Sequence, residues 1–173
     1  YYMHNFLPSQ PQLNLHNLQV QEALLGVMRF WLDRGVDGFR LDALNFALYD
    51  PEFRDNPARL PRPENISRPF DLQEHVYNQS HSDLPAFLRR LRALMDEYGD
   101  IFSVAEVPGS KPLAEMRAYT QGERHLNSAY SFDFLYAPRL NVDVVAASQG
   151  NWQGGSGEGW PSWAFSNHDA PRC

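Results

Sequence analysis

The chain has 173 residues, 43% of them hydrophobic and 13% aromatic, enough apolar material for one domain with a buried core. A formal net charge of −6 leaves no basic face for nucleic acid or an anionic membrane, and no apolar run approaches the ~20 residues of a membrane span. Cys173 is the single cysteine, which excludes an intrachain disulfide. That fits a reducing compartment such as the cytoplasm and otherwise leaves localisation open.

Tyr1-Tyr2-Met3 resembles neither a natural start nor a signal peptide, so the expectation is an internal piece of a longer protein. Residues 1–16 are irregular and carry Pro8 and Pro11. Asn14 or Asn17 is placed to cap the element that follows. From Leu18 to about Asp33, Val20, Leu24, Val27, Met28, Trp31 and Leu32 recur at helical spacing, and Gly35 is the stop. Residues 37–42 then read as a strand. Its side chains alternate, so Arg40 and Asp42 share one face while Phe39 and Leu41 point to whatever covers the sheet. A charged pair ending an apolar strand after a helix suits a site at the mouth of an α/β sheet or barrel. The plain alternative is a structural ion pair.

Residues 43–80 are proline-rich and too long for a simple connection, so an excursion carrying function is expected. Two glycosylation-type triplets, Asn65-Ile66-Ser67 and Asn78-Gln79-Ser80, fall inside it; such triplets arise often by chance. Ser82-Asp83 start a helix whose apolar stripe is Leu84, Phe87, Leu88, Leu91, Leu94 and Met95, with Gly99 as the stop. Arg89, Arg90 and Arg92 are expected on its solvated face. Ile101 to Ala105 is a buried-type strand ending in Glu106. Lys111 to Tyr119 reads as a helix, and Ala129 to Phe134 as a strand with Asp133 near its end. Asn141 to Ser148 reads as a helix, Gly150 to Gly159 as a glycine-rich loop, and Trp163 to Ser166 as a last strand. Helix and strand alternate throughout, which argues for an α/β fold with parallel strands and right-handed crossovers.

Three strands therefore end in acids, Asp42, Glu106 and Asp169, about sixty residues apart, or two βα units of a barrel. Parallel strands put their C-terminal ends on one rim, where the three carboxylates would converge. Glycoside hydrolysis gives such a cluster a use: one ionised carboxylate as nucleophile and one protonated acid about 5–5.5 Å away. Arg40 would keep Asp42 ionised. Glu106 has no evident cation neighbour in the sequence, and burial with nearby negative charge should raise its pKa, as a general acid requires. Asp169 would bind sugar hydroxyls and His168 would donate a hydrogen bond. Singly, each has a plainer role as a cap, surface pair or structural histidine.

Other chemistries find less support. The glycine-rich loop lacks the Lys-Ser/Thr of a phosphate loop, the six histidines lack zinc-ligand spacing, and no G-x-S-x-G element is present.

Gly38-Phe39-Arg40-Leu41-Asp42, Glu106 after Phe102-Ser103-Val104-Ala105, and Phe165-Ser166-Asn167-His168-Asp169 together resemble the motifs of the α-amylase superfamily of glycoside hydrolases, in that family's order. Tyr2-Met3-His4-Asn5-Phe6 and Gln10-Pro11-Gln12-Leu13-Asn14 resemble the segment closing the family's small inserted domain. Gln12 stands where the α-glucosidase and oligo-1,6-glucosidase branch typically has aspartate. The resemblance implies a partial TIM (β/α)8 barrel, roughly strands four to seven. Residues 1–16 would be the end of the inserted domain and a linker, and residues 17–173 the incomplete C-terminal part of the barrel. It implies Asp42 as nucleophile, Glu106 as general acid/base and Asp169 as transition-state stabiliser, with Arg40, His168, Ala43 and Arg172 binding substrate. A small residue at Ala43 leans toward α-1,4 over α-1,6 bonds.

The implied activity is a retaining α-glucosidase releasing glucose from a small oligosaccharide, with the 173-residue chain inactive alone. A transglucosidase or sucrose-acting relative is the first alternative. A non-catalytic amylase-like binding subunit is the second, and the presence of all three acids argues against it. No cofactor or metal ligand is assigned; calcium elsewhere in a longer protein stays open. Neither nucleic acid nor membrane is an expected partner.

Overall fold

The computed structural model describes residues 2–64, 66, 68–109, 111–152 and 159–169. Four helices alternate with four strands: α1 (Leu18–Leu32), β1 (Gly38–Leu41), α2 (Leu84–Asp96), β2 (Phe102–Glu106), α3 (Pro112–Thr120), β3 (Ser128–Ser131), α4 (Val142–Trp152) and β4 (Trp160–Trp163). The sheet order is β1-β2-β3-β4, and every neighbouring pair is parallel. Each strand lies beside the next one in the sequence. That is the winding of a barrel, whereas a doubly wound sheet reverses direction at a switch point.

Local chemistry explains most of the elements. The Asn17 side chain accepts from Gln19 N at 2.8 Å and caps α1, as the sequence predicts. The predicted α2 stripe is buried along its whole length, and Leu84, Leu88 and Met95 are fully enclosed. Burying a side chain of that size contributes about 1.5–3 kcal/mol. Phe39, Leu41, Ala105 and Ala129 pack into the same core as Met28 and Leu32 of α1 and Met116 of α3. The helices thus cover one face of the sheet, and alternation sends Arg40, Val104, Glu106, Ser128 and Tyr130 to the other. Gly38 is dictated by a close approach: a Cβ there would collide with the Phe102 carbonyl on β2.

Several expectations need correction. Arg92 lies under α2, not on its solvated face; its guanidinium bonds Asp96 at 2.6 Å, Asn127 Oδ1 at 3.1 Å and Ile101 O at 3.3 Å. Arg90 pairs with Glu22 of α1. β3 ends at Ser131, so Asp133 lies beyond it and accepts from the Ser131 hydroxyl at 2.8 Å. α4 continues through Gly150 to Trp152, so the expected glycine-rich loop starts later; residues 153–158 lie outside the described residues. β4 is Trp160–Trp163, three residues earlier than expected. Pro161 argues against a strand in a one-dimensional pattern. Among the described residues β4 pairs only with β3, and an edge strand tolerates a missing N–H.

The excursion after β1 closes on itself. Asp50 N donates to Tyr77 O at 2.7 Å and Ser80 N to Asn45 O at 2.7 Å, with a 3-10 turn at Leu44–Phe46 and another at Pro69–Leu72. Asn78 is already engaged: its Nδ2 donates to Asn5 and its Oδ1 accepts from Asn56 Nδ2. Asn65 and Ser67 lie outside the described residues. The N-terminal segment seats on the first turn through Gln12 Nε2, which donates to Phe46 O at 3.0 Å.

Candidate active site

The site forms where the C-terminal ends of β1, β2 and β3 meet on the face away from the helices. Glu106 is the last residue of β2 and stands in register with Tyr130 of β3; Arg40 is one residue short of the end of β1. The Arg40 guanidinium spreads over three partners. Its Nη1 meets Asp42 Oδ1 at 2.6 Å, its Nη2 meets Glu106 Oε1 at 2.8 Å, and its Nε donates to Tyr130 Oη at 3.1 Å. A rigid planar fork can hold three acceptors at once, which an ammonium point charge cannot do with the same geometry. The Tyr130 hydroxyl in turn donates to Glu106 Oε1 at 3.4 Å.

Ala43, directly after Asp42, has left-handed backbone at φ 39° and ψ 47°. For a residue with a Cβ this costs on the order of 1–2 kcal/mol. It also turns the Ala43 N–H toward Glu106, and that N–H donates to Oε2 at 3.0 Å. Both oxygens of a nearly buried carboxyl, 6% exposed, are therefore engaged.

The two acids are driven in opposite directions. A hydrogen bond from Glu106 lowers the pKa of Asp42 most, and Arg40 then adds to it, by hydrogen bonding and by charge; burial opposes. Burial raises the pKa of Glu106, and its hydrogen bond with Asp42 raises it further, while the Ala43 N–H and Arg40 pull it back. Two neighbouring carboxyls disfavour a second charge, and burial makes Glu106 the one whose neutral form is favoured. The side chain of Asp42 is 74% exposed, against 6% for Glu106.

Asp42, Arg40, Glu106 and Ala43 thus come together as the sequence suggests. Glu106 does have a cation partner, contrary to expectation, and it is Arg40 itself. His168 and Asp169 lie in the segment after β4. They pair with each other at 3.3 Å and are 69% and 75% exposed. The Asp169 N–H is held by Asn167 Oδ1 at 2.9 Å. Among the described residues no hydrogen bond or ion pair joins Asp169 to Asp42 or Glu106; the link from this end is the charge of His168, which helps lower Asp42. Arg172 lies outside the described residues.

Tyr130 and the Ala43 amide are what sequence reasoning missed. Tyr130 could have been found by parity, since it belongs to the same side of the sheet as Glu106 once the strand register is known. No local pattern marks the amide. Among the described residues no group of three His, Cys, Asp or Glu side chains could hold a metal ion, and no helix is long and apolar enough to cross a membrane.

The chain is similar to several known proteins. A probable α-glucosidase of Rhizobium meliloti strain 1021 is 49% identical over 178 residues, covering 99% of this chain and 32% of the relative. An oligo-1,6-glucosidase of Halalkalibacterium halodurans is 30% identical over 185 residues, covering 99% of this chain and 31% of the relative. The crystal structure of an α-glucosyl transfer enzyme, XgtA, superposes with a TM-score of 0.89 at 42% identity, covering 99% of this chain and 33% of that one. The chain spans about a third of the length of the relatives it matches. The four strands with their helices are part of an amylase-type TIM barrel. The family model of the α-amylase catalytic domain matches residues 1–173, and the chain belongs to the α-amylase family.

Proposed function

We propose that the protein is a retaining glycoside hydrolase that cleaves terminal α-glucosidic bonds of short oligosaccharides and releases glucose. Residues 1–16 end the inserted small domain, and residues 17–173 supply roughly strands four to seven of its barrel. The observation that carries this reading is the pair of carboxyls held on one guanidinium, with pKa values driven in opposite directions. A retaining pair stands about 5–5.5 Å apart, closer than the roughly 6.5–9.5 Å of an inverting pair, and both carboxyls here grip one guanidinium, through Nη1 at 2.6 Å and Nη2 at 2.8 Å.

In this mechanism the Asp42 carboxylate attacks the anomeric carbon as the bond to the leaving oxygen breaks, and Glu106 gives that oxygen its proton. Water then attacks the glycosyl ester, loses its proton to Glu106 and frees Asp42. Arg40 keeps Asp42 ionised and aimed. Asp169 holds sugar hydroxyls and the developing positive charge, with His168, Arg40 and Arg172 lining the subsite of the released glucose. The small Ala43 beside the nucleophile favours α-1,4 bonds.

Incubating the full-length protein with a slow 2-deoxy-2-fluoro glucosyl donor tests the role of Asp42. A glucosyl mass on the peptide containing Asp42 supports the mechanism; a label elsewhere, or none with active enzyme, refutes it.

The likeness to XgtA favours a second reading in which a sugar hydroxyl replaces water as the acceptor. Product analysis with maltose, isomaltose and sucrose separates the two: free glucose alone indicates hydrolysis, and longer or isomerised sugars indicate transfer.

A further inference from the structure

Behind the acids, the loops leaving β1 and β2 are tied together by a polar cluster that the steps above leave unused. Asn45 is fully buried in the turn after Ala43, and its Nδ2 donates to the carbonyl of Pro108, two residues past Glu106. The Asn45 backbone carbonyl accepts from Ser80 N at 2.7 Å. The Ser80 hydroxyl donates to Glu115 Oε1 at 2.6 Å, and Glu115 sits in the first turn of α3. Gly109 packs over the centre at φ +146°; a Cβ there would lie 3.0 Å from Asn45 Nδ2 and 3.5 Å from both Glu115 Oε2 and Gln79 Oε1.

The cluster joins three distant pieces of chain: the exit of β1, the return of the 43–80 excursion, and the exit of β2 with α3. It also holds strained backbone. Ala43 and Ser80 carry side chains yet have φ of 39° and 55°. Such residues persist only where their surroundings over-determine them. Asn45 is held by its carbonyl and by its carboxamide, two residues from Ala43, and that fixes the turn which presents the Ala43 N–H. Burial raises the pKa of Glu115, while Ser80, Lys111 and Asn45 counteract it. Asn45 Oδ1 has no hydrogen-bond partner among the described residues, a cost that loop closure alone would not require.

We propose that Glu115 is a positioning residue: through Ser80 and Asn45 it clamps the turn after Asp42 against the loop after Glu106 and so keeps the Ala43 N–H on the Glu106 carboxyl. This rests on the reading of Glu106 as the acid/base of a glycosidase.

The test uses the full-length protein labelled with 15N-alanine. In the wild type the Ala43 amide resonance follows the ionisation of Glu106. In Glu115→Ala and in Ser80→Ala that response shrinks, and its midpoint moves to higher pH because the carboxylate loses a donor. Turnover falls about ten-fold with KM within about two-fold, since the lost contact serves the transition state. Glu115→Gln, which still accepts from Ser80, restores both readouts, and Gly109→Ala, which wedges the clamp, mimics the loss. A wild-type Ala43 titration and wild-type turnover in Ser80→Ala and Glu115→Ala overturn the proposal. If Glu115→Ala fails to fold, Ser80→Ala decides. If Glu106→Gln retains full activity, the glycosidase reading falls instead, and the amide titration still judges the clamp by itself.

Discussion

The two ends of the sheet carry their acids very differently. At β1 and β2, Asp42 and Glu106 are held by a shared guanidinium, a backbone amide and a tyrosine, and Glu106 is almost buried. Past β4, Asp169 is held among the described residues by its neighbours Asn167 and His168 and is 75% exposed. The difference lies in support. Glu106 is the last residue of β2 and draws partners from Arg40 of β1 and Tyr130 of β3, whereas Asp169 follows the end of β4 by six residues, outside any strand. Burial and close partners drive the pKa values of Asp42 and Glu106 apart.

The sharpest way to break this comparison is to remove the acids of the supported end. In the full-length protein, Asp42→Asn is expected to lower turnover by about 10⁴-fold or more, and Glu106→Gln by on the order of 10²–10⁴-fold, with circular dichroism unchanged. Asp169→Asn asks whether the exposed end joins the site when sugar binds. A loss of about 10²–10³-fold in kcat would say that it does, and a neutral result would remove Asp169 from the mechanism.

Arg40→Lys keeps the charge and loses the fork. Turnover should fall about 10²-fold, and the acid limb of the rate profile should move to higher pH as Asp42 loses the donor that Arg40 Nη1 aims at it. The wild-type profile itself follows from the opposed shifts. Activity falls as pH drops through the lowered pKa of Asp42, because the nucleophile becomes protonated. It falls as pH rises through the raised pKa of Glu106, because the acid loses its proton.

Tyr130→Phe carries the smallest expected effect. Removing a hydroxyl that favours the Glu106 carboxylate should lower turnover a few-fold and move the alkaline limb upward by less than about one pH unit. An unmoved limb would reduce Tyr130 to packing around Arg40.

Much of the fold was legible because its signals are local. The α2 stripe repeats at helical spacing, Asn17 caps where a cap is needed, and β1 alternates charge with apolar residues. Arg92 was misread because helical position says which face a side chain takes, not whether Asn127 and Ile101 O wait beneath that face to satisfy it. β4 was displaced by three residues because its register is set by pairing with β3, where Pro161 stands opposite Ala129, and no local pattern carries that pairing. In the site, the residue types and their order pointed to paired acids, while the cation on Glu106 belonged to a residue already assigned to Asp42.

By itself, the sequence determined that Arg40, Asp42 and Glu106 stand at strand ends, since strand period and residue chemistry are properties of short stretches, whereas Asp169 lies six residues past the end of β4. Only the tertiary structure decided who touches whom. Ala43 N meets a carboxylate 63 positions away and Arg40 Nε meets a hydroxyl 90 positions away. The register of a parallel sheet brings such partners together, and burial at that junction separates the two pKa values on which the chemistry depends.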